Sequence, residues 1–249
     1  MKNPSDAQMR EFSKTYWRGE RFTAFDGTGW TSEKGAQYRY LPLVKIGSES
    51  LSITYYDPGS KILPLPGPAY SATTARSYRN NAFTQRVGDP YVHRTEEPMG
   101  SAYEVSVSLI GKTAPSASFS GADAPLPANV DELFAAYWSK IPKETSKDPL
   151  KLAKYVRDES GFEYTVEAPA KSLRSFLYEE KRGHCEYFAT VLALTMRHFG
   201  FPATVVNGYY SGEYSRLSDT WIIRGEQAHA WVEILENGYW TVYDPTPNS

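Results

Sequence analysis

Cys185 stands in Arg182-Gly183-His184-Cys185, directly ahead of an apolar stretch, and is the only cysteine of the chain. A thiol at the start of a helix meets unpaired backbone N–H groups and the positive end of the helix dipole. Both favour the thiolate, which is the nucleophilic form. Taken alone, a cysteine ahead of an apolar helix is more often packing than chemistry. The end of the chain supplies what a nucleophile needs. Residues 228–235 and 239–244 read as strands around Asn237-Gly238, the dipeptide preferred in two-residue type I′ hairpins. If Glu236 pairs with Tyr239, Trp231 lies opposite Asp244. His229 then shares the face of Trp231 and sits diagonal to Asp244. Diagonal neighbours are about 7–8 Å apart at the backbone, within reach of an imidazole and a carboxylate turned toward each other. A three-residue loop would place the two on opposite faces. Cysteine, histidine and aspartate so arranged suit covalent acyl transfer: Cys185 attacks an acyl carbon, His229 takes its proton and later returns one to the leaving group, and Asp244 fixes the imidazole tautomer. Spacing alone leaves other readings open, with His229 a satisfied sheet histidine and Asp244 a strand terminator in Asp244-Pro245-Thr246-Pro247.

The elements that must position these groups are legible around them. Phe188, Leu192, Thr195, Met196 and Phe199 recur at helical spacing, and Gly200 followed by Pro202 stops that helix in the preferred order. Asp148-Pro149 reads as a cap with proline at the first helical position, opening a helix that ends at Gly161. Residues 162–166 look extended, and Ser172 caps a short helix through Glu180. Strands over 204–211, 220–224, 228–235 and 239–244 close the chain. Helices followed by an antiparallel sheet predict an α+β domain.

The first half has a different grammar. Short β-type runs at 21–25, 38–46, 50–56, 82–87 and 103–110 are punctuated by Gly and Pro, and residues 103–109 alternate apolar and polar. They predict a β-rich, sandwich-like domain over 1–111. Residues 112–129, rich in Ala, Ser and Pro, read as a linker or a long loop, leaving 130–249 as the α+β domain. In the leader, Asp26-Gly27 and Gly29 are turn-formers, Trp17 and Trp30 are core, and Pro64, Pro66 and Pro68 mark an edge or loop.

Composition narrows the function classes. Lys+Arg of 27 against Asp+Glu of 29 gives a net charge of −2, which removes the electrostatic reason to expect nucleic acid or an anionic membrane surface as partner. One cysteine excludes an internal disulfide framework, and there is no CxxC, EF-hand-type loop or phosphate-binding glycine loop, so no metal or cofactor is expected. No apolar run approaches the roughly 20 residues of a membrane helix.

Three segments resemble the transglutaminase-like superfamily of papain-type thiol enzymes: residues 182–189 (RGHCEYFA), 228–233 (AHAWVE) and 243–247 (YDPTP). Residues 199–209 are similar to that family's helix-to-strand passage. The resemblance covers about Pro149 to Pro247 and implies a papain-like core, with Cys185, His229 and Asp244 as nucleophile, base and orienting acid in this chain order. It also implies a peptide or protein amide as substrate, with hydrolysis and transamidation both open. Tyr16-Trp17-Arg18-Gly19, Phe22 and residues 25–30 (FDGTGW) resemble the leader of bacterial TgpA-type membrane proteins. That similarity implies an extracytoplasmic, periplasmic domain, tethered through flanking membrane segments absent from this chain. One departure is His184, where that branch usually has Tyr or Phe. It reads as a second cation near the thiolate or as a solvated imidazole. For the oxyanion of acyl transfer, the backbone N–H of Cys185 is one donor, and Tyr164 and Trp221 are candidates for a second, though both read equally as core aromatics. Trp231 is a candidate cleft wall, and His93 and His198 read as structural. Two other function classes remain: a binding module that keeps the fold without turnover, and a small-molecule amidase or transferase.

Overall fold

The computed structural model describes residues 14–32, 38–40, 49–54, 62, 64–67, 70–77, 83–86, 93–95, 102–109, 124–167, 169–217, 220–237 and 239–247. The expected linker therefore lies outside the described residues as far as position 123. The chain divides into two compact units that interleave along the sequence. One draws on Met1–Glu20, Gly35–Ala117 and Asn207–Ala228, the other on Arg21–Lys34, Ser118–Val206 and His229–Ser249.

The first unit is built of strands. Ala102–Leu109 lies between Glu49–Thr54 and Tyr70–Ser77, antiparallel to both, with Val105 opposite Leu51 on one side and Ala75 on the other. A second sheet orders Tyr38–Tyr40, Phe83–Arg86 and His93–Thr95. Leu65–Gly67 pairs with the Tyr16–Phe22 strand, Pro66 opposite Trp17, and ends its sheet. A proline there forfeits no ladder bond on the outer side. Trp17 is buried, as expected. Glu213–Ser215 and Thr220–Ile222 form a further antiparallel pair.

The second unit holds the helices and the terminal hairpin. Asp148 accepts hydrogen bonds from the N–H groups of Leu150 and Lys151 with Pro149 at the first helical position, so Pro149–Lys154 starts where the cap signal places it. That helix widens into a π turn over Tyr155–Glu159 before Gly161, at φ 71°, lets the chain leave. Ser172 Oγ accepts from the N–H of Ser175, and the turns beyond it are again π over Ser175–Glu179. An additional helix, Ala128–Trp138, begins after Pro127 and buries Val130, Phe134, Tyr137 and Trp138, one face at helical spacing.

At the centre lies Cys185–His198, whose middle, Phe188 to Met196 apart from Thr190, is buried on every side. A helix buried all round needs its polar atoms paired, and Thr195 Oγ1 accepts from Trp138 Nε1 at 3.0 Å. Gly200 at φ 87° ends it, with the N–H of Phe201 reaching back to the carbonyl of Met196 at 2.9 Å. In this unit the Ala228–Glu236 strand lies between Tyr239–Tyr243 and the first half of Ala203–Tyr210. Ala230, Val232 and Ile234 on one face of the Ala228–Glu236 strand join the core that contains the central helix. The fold is mixed α and β with antiparallel pairing in the hairpin that ends the chain.

Candidate active site

Cys185 is the first residue of the central helix. His184 precedes it in extended conformation, φ −91° and ψ 177°, and its side chain makes no capping hydrogen bond. The His184 carbonyl accepts the N–H of Tyr187 at 3.0 Å, and no side chain caps the N–H groups of Cys185 and Glu186 next to the sulfur. The approach to this turn is held from below. Glu163–Tyr164 runs parallel to Arg182–Gly183, Tyr164 opposite Gly183. The N–H groups of Glu163 and Thr165 bond to the carbonyls of Lys181 and Gly183 at 2.8 and 2.9 Å. Gly183 is needed for room: a Cβ there would come within 2.8 Å of Tyr187 Cδ2 and 3.1 Å of Phe176 Cδ2. Cys185 is a free, partly buried cysteine.

The terminal hairpin has the register that Asn237-Gly238 predicts. Glu236 pairs with Tyr239, Leu235 with Trp240, Glu233 with Val242 and Val232 with Tyr243, and Asn237 sits at φ 51°, as a type I′ turn requires. His229 and Asp244 therefore meet, with His229 Nε2 2.6 Å from Asp244 Oδ2 and both side chains less than a tenth exposed. The second carboxylate oxygen of Asp244 accepts the N–H of Thr246 at 2.9 Å, which fixes the plane of the carboxylate.

The electrostatics follow from this burial. For His229, desolvation is the largest influence and disfavours the charged ring. Hydrogen bonds to Asp244 and to the Cys185 side chain, and attraction to both, outweigh it and raise the pKa from 6.5 to about 9. For Asp244, burial again acts first, raising the pKa, but the bonds from His229 and Thr246 hold it below the ordinary carboxylate value. Since Nε2 is occupied by Asp244, Nδ1 is the nitrogen left for Cys185. The three residues that spacing singled out are brought together in one unit, with the imidazole between thiol and acid.

Behind the histidine, Trp231, which spacing had placed on its face, leads to Glu233, Arg21 and Trp240, which sequence reasoning missed. The indole of Trp231 lies nearly parallel to the His229 ring, 20° between planes and 6.4 Å between centroids. Its Nε1 donates to Glu233 Oε1 at 3.3 Å, while Glu233 Oε2 forms an ion pair with Arg21, whose guanidinium lies 4.2 Å over Trp240. His229, Trp231 and Glu233 are spaced two apart, so one strand face carries all three. The signal was present in that spacing, but a charged residue alternating along a strand ordinarily marks a wet face.

The remaining candidates separate cleanly. Asp26 Oδ1 accepts from the N–H groups of Thr28 and Gly29 and from the Thr28 hydroxyl, a turn that lowers its pKa to about 2. Trp30 packs against the core and donates to Thr190 Oγ1 at 3.0 Å. His198 stacks on Trp138 at 3.7 Å. His184 Nδ1 lies 3.9 Å from Glu186 Oε2, its side chain one third exposed. The side chains of His93 and Trp221 lie outside the described residues. Among the described residues no group of three or more His, Cys, Asp or Glu is placed to hold a metal ion, and no helix is long and apolar enough to cross a membrane.

Residues 134–245 match the profile of the Transglutaminase-like superfamily. The chain is 37 % identical over 90 residues to a protein-glutamine gamma-glutamyltransferase of Pseudomonas aeruginosa, a match spanning 34 % of this chain and 13 % of that protein. It is 36 % identical over 77 residues to the uncharacterized protein YebA of Bacillus subtilis, spanning 28 % of this chain and 10 % of that one. The matched stretch is thus a small part of both relatives. The periplasmic domain of TgpA from Pseudomonas aeruginosa has the same fold, with a TM-score of 0.63 at 20 % identity over 94 % of this chain and 82 % of that one.

Proposed function

From the match of residues 134–245 to the Transglutaminase-like superfamily, we propose that this protein transfers acyl groups from peptide or protein amides through a thioester on Cys185. The observation that carries the reading is the imidazole of His229, bonded to Asp244 through Nε2 at 2.6 Å in the unit whose central helix begins at Cys185. The Cys185 thiolate adds to the amide carbon, and the carbonyl electron pair moves to oxygen. As the tetrahedral species collapses, the C–N bond breaks, His229 gives its proton to the departing nitrogen, and a thioester remains. An acceptor then attacks the thioester. His229 takes the acceptor's proton, and the sulfur leaves as thiolate. Asp244 keeps Nε2 engaged throughout, so that Nδ1 faces the sulfur and stays free to exchange the proton.

The acceptor is a primary amine in this proposal, on the strength of the relative named for gamma-glutamyl transfer. Hydrolysis uses the same half-reaction with water. The likeness in fold to a periplasmic domain supports an extracytoplasmic location. The test incubates the protein with a glutamine-containing peptide and a fluorescent primary amine, followed by mass spectrometry. Time-dependent incorporation is expected, with the rate reduced at least ~10³-fold in Cys185→Ala. Incorporation that persists in Cys185→Ala, or a wild-type protein that neither couples the amine nor hydrolyses the amide, refutes the reading.

A further inference from the structure

Acyl transfer through Cys185 creates a negative oxygen that needs two donors, and the first turn of the central helix supplies only backbone N–H groups. The Glu163–Tyr164 strand is tied to this turn through backbone bonds on both sides of Tyr164, to Lys181 and Gly183. The Tyr164 ring lies 6.4 Å from that of Phe188, one turn past Cys185. Its phenol is neutral in the working range: burial first, and then the charge of Cys185, raise its pKa above 10.

The use of its hydroxyl sets Tyr164 apart from the other described tyrosines of its unit except Tyr155, whose ring packs on Tyr137. In the same unit Tyr137 bonds to Ser160, Tyr178 to the carbonyl of Leu133, Tyr187 to the carbonyl of Ala170 and Tyr243 to Glu236. The Tyr164 hydroxyl bonds to none of the described residues, and its side chain is 41 % exposed, open to an arriving substrate. We infer that Tyr164 is the side-chain donor to the oxyanion, a catalytic residue beside Cys185, His229 and Asp244. The inference rests on the acyl-transfer reading. In the step concerned, sulfur adds to the carbonyl carbon, the π pair moves to oxygen, and the phenol donates a hydrogen bond to that oxygen without giving up its proton. When the leaving group departs the C=O bond re-forms and the phenol is released.

Two reactions of the same sulfur separate this role from a structural one. Acylation by p-nitrophenyl acetate passes through an oxyanion, expels p-nitrophenolate and adds an acetyl group to Cys185. Alkylation by iodoacetamide displaces iodide in one step and forms no oxyanion. Tyr164→Phe, which removes only the hydroxyl, is expected to slow acylation about a hundredfold while alkylation stays within about twofold of the wild type. Acylation within threefold of the wild type overturns the inference. A parallel loss in both reactions overturns it too, because the hydroxyl then acts on the thiol or on folding and not on the oxyanion. A wild-type protein that is alkylated at Cys185 but never acylated refutes the acyl-transfer reading itself, and the inference with it.

Discussion

Replacing Asp244 by Asn changes one atom and reverses the logic of the site. Asp244 Oδ1 accepts from the N–H of Thr246, so the amide oxygen of the variant keeps that position, and the NH₂ group falls where Oδ2 met His229 Nε2. A donor there requires Nε2 to be the acceptor, which moves the ring proton to Nδ1, the nitrogen facing Cys185. The imidazole then has no lone pair for the thiol proton, and kcat/KM should fall ~10²–10⁴-fold. The titration shifts as well. The His229 pKa stands at about 9 against an ordinary 6.5, a bias of about 3 kcal/mol toward the charged ring. Burial, the strongest influence on that ring, works against charge, so without the carboxylate the pKa should drop to about 7 or lower. Stability follows the same shift. A histidine whose folded pKa is raised contributes stability that is complete below 6.5 and is lost as pH rises through about 9. The wild type should therefore lose about 3 kcal/mol between those limits, and Asp244→Asn should lose little over the same range. The assay is the ¹⁵N titration of the four histidines, with His229 assigned through His229→Gln, together with urea unfolding at the two pH limits. A His229 that still titrates near 9 in Asp244→Asn refutes the reasoning, as does an activity within tenfold of the wild type.

Glu233→Ala strips the counter-charge from a guanidinium that is 0 % exposed, and should cost about 3–5 kcal/mol in chemical denaturation. The double variant Arg21→Met/Glu233→Leu should recover much of that loss, and a single variant within 1 kcal/mol of the wild type would contradict the buried pair. Gly183→Ala brings a methyl group to 2.8 Å from the ring of Tyr187, on the first turn of the central helix. A loss of about 1–3 kcal/mol with a slower alkylation of Cys185 is expected, and unfolding and alkylation both like the wild type would show that the turn has room.

What could be read in advance was whatever local chemistry decides. Asn237-Gly238 sets the hairpin register and with it the meeting of His229 and Asp244. Asp148-Pro149 and Gly200 bound their helices because caps act within one turn. The helix Ala128–Trp138 was missed because its apolar residues follow a stretch rich in Ala and Pro that masks the period. Tyr70–Ser77, made of small residues without alternation, gives no strand pattern, and its pairing with Ala102–Leu109 supplies the reason it forms. The Arg21–Glu233 pair was hidden for a different cause: its partners are 212 positions apart, and neither shows in its own neighbourhood that it is buried.

That distance sets a timetable for the protein's birth. Arg21 leaves the ribosome 212 positions ahead of its carboxylate partner. At about 5–20 residues per second, the gap amounts to roughly 10–40 seconds of translation. Throughout that interval the guanidinium has no Glu233 to meet, and water is the better host for it. The strand that carries Arg21 thus waits for the strand of Glu233 before it closes over its charge, and the site beside it takes shape only once that later strand has been made.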